Sequence, residues 1–184
     1  QGVGLLYDPG ANRWERLAHR ALRQPLGRIH AFVLTKVRLR MLVLYRQALA
    51  HDCLLVGTTD RSEWSIGFYD PYGDGAADLA LLRHLYKTQI RELAGHLGAP
   101  AEIVAKPSSG DLAAGLPNEA AIGLSYAELD AVLWGLEHGL GGREIAAQVG
   151  VSRAAIRAVR RAVRVAEVRR GLPVGVEPLT VCQT

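Results

Sequence analysis

The chain has 184 residues, 49% of them apolar and 22% charged, with a formal net charge of +4. That length suits one domain, or one domain with a helical appendage, and it is enough for a packed core. No apolar run reaches the roughly 18 residues of a membrane span, and the start lacks the charged, apolar and cleavage-site pattern of a leader. A soluble, cytoplasmic chain with no membrane partner is therefore expected.

The first residues read strand, turn, helix: the apolar run Val3–Tyr7, then Asp8-Pro9-Gly10, then a helical stretch from about Arg13. A phosphate-binding loop would sit at such a junction, because the first N–H groups of a helix have no partners within it. "RQPLGRIH" is a connector, and Phe32–His51 has apolar residues on most of its circumference, which predicts a buried helix. "CLLVGT" predicts a short buried parallel strand, with Cys53 as a small buried residue. "WSIGFYDPYGDGAADLALL" is rich in turn residues, and "LYKTQIRELAGHLG" predicts an amphipathic helix stopped by Gly98.

A long Gly/Pro/Ser loop begins at Lys106, and "SYAELDAVLWGLEHG" opens with a capping box, Ser125 followed three residues later by Glu128. Further helices follow Gly139–Gly142. Between Arg143 and Arg170 stand eight Arg against two Glu, a block suited to nucleic acid, an anionic ligand, an acidic partner or a solvated helix face. The three tryptophans are expected to pack, and the six histidines show no ligand spacing. Strands alternating with helices predict an α/β fold with a parallel sheet.

Three segments carry candidate chemistry: Lys36–Met41, Gly57–Glu63, and Tyr72–Asp78 with the following Leu85–Leu93 and Lys106–Ser109. Glu63 lies just past a predicted parallel strand, where α/β folds place ligands, and a carboxylate there suits Mg²⁺. Lys87 beside Thr88 suits a phosphate chain, and Ser108 and Ser109 add hydroxyl and backbone donors.

These segments resemble the ammonia-dependent NAD synthetases almost continuously from Gly57 to Leu112, and more broadly from Phe32 to Val176. The resemblance implies an adenine-nucleotide α-hydrolase fold: a Rossmann-like parallel sheet flanked by helices, shortened here, with a helical C-terminal extension. It implies residues 1–138 as the α/β domain, 139–176 as the extension and 177–184 as a tail. It also implies a homodimer, Mg²⁺ and ATP as cofactors, and amidation of deamido-NAD to NAD with ammonia. By the same resemblance Glu63 binds metal, and Thr58, Lys87, Ser108 and Ser109 contact ATP or its phosphates. Arg38, Asp74 and Asp78 form the dinucleotide site.

The chain departs from the family at its first loop. A Ser-Gly-Gly-x-Asp-Ser pattern laid on "LLYDPGANR" keeps only Gly10, with Pro9 lacking a donor and Asp8 repelling phosphate. Asp70-Pro71 also replace a Thr-Lys pair. An inactive paralogue that binds or dimerises is therefore the alternative function. "REIAAQVGVSRAAIRAVRRAV" has helix-turn-helix spacing, but the same pattern recurs in the family's tail, which disfavours DNA as a partner.

Overall fold

A computed structural model describes residues 26–110 and 117–170. The expected phosphate loop at Asp8–Arg13, Trp14, Cys182 and the tail lie outside the described residues. Among them the helices run in order α1 (Leu26–Ala50), α2 (Arg61–Ile66), α3 (Lys87–His96), α4 (Ala101–Ala105), α5 (Asn118–Ile122), α6 (Tyr126–Glu137), α7 (Gly142–Val149) and α8 (Arg153–Arg170).

The core is built around α6. Its capping box forms as the sequence predicts: Ser125 Oγ accepts the Glu128 N–H at 3.2 Å, and Glu128 Oε2 accepts the Ser125 N–H at 2.8 Å. Bonds from Ser125 hold the Glu128 carboxyl below its ordinary range. Tyr126, Leu129, Val132 and Leu133 recur at helical spacing and are buried. Against them pack Ile66 from α2, Ile145 from α7, and Ile156, Val159 and Ala162 from α8. The opposite face of α8 carries Arg153, Arg157, Arg160, Arg161 and Arg164, all exposed. Helix α8 therefore pairs an apolar stripe with a solvated basic one, and α7 and α8 share the core of α6 and α2. Two left-handed glycines end helices here: Gly67 (φ 70°) closes α2 and Gly150 (φ 78°) closes α7, a backbone region that side chains resist.

The N-terminal half differs from expectation in three ways. Phe32, Leu39, Leu42, Val43 and Leu49 of α1 are exposed, and among the residues of α1 whose burial is described only Met41 is buried. A helix apolar on most sides buries only the faces that something packs against, and among the described residues α1 meets the 70–76 turn region and Gly110. The Arg40 guanidinium donates to the Gly110 carbonyl at 2.7 Å, and the Tyr45 hydroxyl donates to the Ala76 carbonyl. The predicted strand at Cys53–Thr58 is present as an isolated parallel bridge between Val56 and Leu79, with Leu54 and Val56 exposed. Gly57 N–H donates to the Leu79 carbonyl at 2.7 Å, and a Cβ on Gly57 would stand 2.7 Å from Ala77 Cβ, so only glycine fits. Cys53 is exposed rather than buried, because the bridge leaves that end of the segment uncovered.

Trp64 packs as expected, stacked on Tyr69 at 4.6 Å with the Arg83 guanidinium 3.9 Å from its ring centroid, whereas Trp134 stands partly exposed against His138. Ile156→Ala is expected to lower stability in urea unfolding by about 2–5 kcal/mol, and Val168→Ala on the exposed side of α8 by no more than about 0.5 kcal/mol.

Candidate functional site

The site begins with the first turn of α2. Asp60 is its N-cap: Oδ1 accepts the Glu63 N–H at 2.8 Å, and the Asp60 N–H donates to Glu63 Oε2 at 3.3 Å. This reciprocal pair satisfies two backbone donors and fixes both carboxylates on one side of the helix start. Asp60 is fully buried.

Lys87, the first residue of α3, supplies the cation. Its Nζ lies 2.6 Å from Asp60 Oδ2 and 3.1 Å from Glu63 Oε1, and 5.0 Å from the Tyr126 ring centroid. Glu63 Oε1 also accepts from the Tyr126 hydroxyl at 3.1 Å and from Asn118 Nδ2 at 3.5 Å. Burial and the neighbouring Asp60 push the Glu63 carboxyl above its ordinary range, against the opposing pull of Lys87. Burial pushes the Lys87 ammonium down, and the Glu63 and Asp60 charges more than reverse this, leaving it above its ordinary value. Tyr126 is raised too, by burial and then by the Glu63 charge.

A second tier lies beneath. Ser62 Oγ accepts the Lys87 N–H at 3.0 Å and donates to Asp130 Oδ1, while Asp130 Oδ2 accepts the Thr88 N–H at 2.9 Å. Burial raises the Asp130 carboxyl, and its bonds to Ser62 and Thr88 pull it down. The Ser108 loop reaches the cluster through the backbone, the Asn118 N–H donating to the Ser108 carbonyl at 2.8 Å.

Of the residues named from sequence, Glu63 and Lys87 meet directly, and Ser108 joins them through Asn118. Ser109 and Thr58 are exposed nearby in sequence. Arg38 and Asp74 meet in a second cluster around Asp70. Arg38 Nε and Nη2 lie 2.7 and 3.2 Å from the two Asp70 carboxylate oxygens, and the Asp70 N–H donates to Asp74 Oδ1 at 2.9 Å. The bond to Asp70 raises the Arg38 pKa. Thr59 Oγ1 donates to the Asp74 carbonyl at 3.4 Å, linking this cluster to the turn that carries Asp60. Asp78 holds the bridge instead, its Oδ2 accepting the Leu55 N–H at 2.8 Å.

Asp60, Asn118, Tyr126 and Asp130 were not legible as site residues from sequence. The Asp60-x-x-Glu63 spacing and an acid on the apolar face of α6 were the available signals.

Among the described residues no three His, Cys, Asp or Glu side chains gather as a metal-binding group. Asp60 and Glu63 converge on one cation, the Lys87 ammonium, and of the two only Glu63 keeps some exposure. Lys87→Met is expected to destabilise the chain by about 3–5 kcal/mol, since it leaves buried carboxylates without their counter-charge. Protonating the raised Glu63 carboxyl relieves the defect, so the variant's thermal midpoint, relative to wild type, should recover as the pH falls from 7 to 5.

A model of the NAD synthase family matches residues 30–173. The NH(3)-dependent NAD(+) synthetase of Hyperthermus butylicus is 41% identical over 144 residues, covering 78% of this chain and 52% of that protein. Among solved structures, the NMN synthetase of Francisella tularensis superposes with a TM-score of 0.66 at 25% identity, over 90% of this chain and 63% of its own. The NH3-dependent NAD synthetase of Campylobacter jejuni gives a TM-score of 0.57 at 23% identity, over 77% and 52%, a likeness of fold alone. The chain spans about half the length of the relatives it matches. The site-bearing segment from Gly57 to Ser109 lies wholly inside the matched region, and the chain belongs to the NAD synthase family.

Proposed function

We propose that this chain serves the ATP- and Mg²⁺-dependent amidation of deamido-NAD to NAD with ammonia, in the cytoplasm. The observation that carries the reading is the convergence of Lys87 with Glu63 and Asp60 beside the Ser108 loop, within the family match. The Rossmann-like parallel sheet belongs to this reading, and the isolated parallel bridge between Val56 and Leu79 is compatible with it.

In this reading the substrate carboxylate attacks the α-phosphorus of ATP, pyrophosphate leaves, and ammonia then displaces AMP from the acyl adenylate. Lys87 offsets charge on the phosphate chain, and Thr58, Ser108 and Ser109 add donors. Glu63 would hold Mg²⁺, which when bound offsets negative charge on the phosphates. Arg38, Asp74 and Asp78 line the dinucleotide side. Preorganised charge of this kind commonly dominates catalysis.

A second reading, a paralogue that binds or dimerises without turnover, is favoured by the Arg38–Asp70 pair, which already neutralises Arg38. Purified chain supplied with ATP, Mg²⁺, ammonia and deamido-NAD is expected to form NAD and AMP in equal amounts, and Lys87→Ala to lower the rate by about 10²–10³-fold. Similarity to an NMN synthetase makes nicotinate mononucleotide the substrate to run beside it. Calorimetric binding of deamido-NAD without product would instead establish the second reading.

The exposed stripe Phe32, Leu39, Leu42, Val43 and Leu49 on α1 supports a homodimer through that face. Light scattering is expected to give twice the chain mass, and Leu42→Glu to give the single chain mass.

A further inference from the structure

The first N–H groups of a helix need partners, and α3 finds none of its own for Lys87 and Thr88. Tyr86 precedes them as N-cap, and its N–H donates to Gln89 Oε1 at 2.9 Å. The N–H groups of Lys87 and Thr88 are instead met from two other helices, by Ser62 of α2 at 3.0 Å and Asp130 of α6 at 2.9 Å. Ser62 is fully buried and Asp130 nearly so, and the Ser62 hydroxyl donates to the second Asp130 oxygen. An acid on the apolar face of α6 is costly to bury, and no helix needs one there for its own sake.

We propose that Asp130 is a positioning residue: with Ser62 it caps α3 from outside that helix, and so holds the Lys87 side chain against Asp60 and Glu63. Three constraints meet on Lys87. Its backbone is fixed by Ser62, the next peptide is fixed by Asp130, and its ammonium is fixed by two carboxylates from the turn that carries Ser62. A carboxylate is required rather than a neutral acceptor because one Asp130 oxygen takes the Thr88 N–H while the other takes the Ser62 proton. That orients the Ser62 lone pairs toward the Lys87 N–H. The importance of the Lys87 position for nucleotide phosphates rests on the function proposed above; the positioning itself does not.

The chain has three lysines, Lys36, Lys87 and Lys106, so reductive methylation followed by peptide mass spectrometry reads Lys87 against two internal references. In the wild type Lys87 should react more slowly than exposed Lys106. Asp130→Ala, which frees the Thr88 N–H and lets the start of α3 loosen, should raise the Lys87 rate toward that of exposed Lys106. Asp130→Asn, which keeps an acceptor for Thr88 but presents a donor to Ser62 in place of the second oxygen, should restore only part of the protection. Ile156→Ala, which weakens the core that α8 shares with α6 but removes no hydrogen bond of this network, should raise the ratio less than Asp130→Ala does.

An unchanged ratio in Asp130→Ala, or an equal rise in Ile156→Ala, overturns the proposal. If Asp130→Ala does not fold, Ser62→Ala carries the same comparison with the same two outcomes. Calorimetry with MgATP on the same proteins separates the two readings. Weakened binding in Asp130→Ala but not in Ile156→Ala supports both. No binding by any of them, with the methylation contrast intact, removes the phosphate role and leaves the positioning standing.

Discussion

The Lys87 ammonium, held 2.6 Å from a fully buried aspartate and 3.1 Å from a largely buried glutamate, is the contact on which the site depends. Taking these groups out of water costs several kcal/mol per ion, which mutual attraction repays only when the remaining lone pairs and protons are also met. Most are: Asp60 Oδ1 takes the Glu63 N–H, and Glu63 takes the Asp60 N–H, the Tyr126 hydroxyl and Asn118. Asp60 Oδ2 has no hydrogen bond and faces the Lys87 charge, so loss of that ammonium strands it in a medium that solvates it poorly.

The members come from four places in the chain: the N-cap and first turn of α2, the start of α3, the start of α5 and the first turns of α6. Those elements are brought to one point by the core that α6 shares with α2, α7 and α8. Helices α7 and α8 contribute none of the cluster's side chains, yet Ile145, Ile156 and Val159 fix where α6 stands. The basic face of α8 is turned away from this core, which leaves helix packing and surface charge to be set independently on one element.

Local signals were read well from sequence. The Ser125–Glu128 box, Gly98 after α3 and the helix pair after Gly142 all follow from spacing and turn chemistry. Lys87 and Glu63 were legible because a family pattern surrounds them. Asp130 and Tyr126 were not, since a buried polar group announces itself only when its partners, 42 to 68 residues away, are known. Burial of α1 and of Cys53–Thr58 was misjudged for a related reason. Apolarity states what a segment can bury, while the element that covers it is a property of the fold.

The Arg38–Asp70 pair carries a different consequence. Two of the five guanidinium donors are spent on a carboxylate that is 2% exposed, and the Tyr72 ring lies 5.3 Å from the guanidinium carbon. The pairing cancels most of the long-range attraction Arg38 would exert, and it also locks the plane in which the remaining N–H groups point. Arg38 is thereby converted from a roaming charge into an oriented template. Any acceptor approaching those N–H groups would have to meet them in that plane.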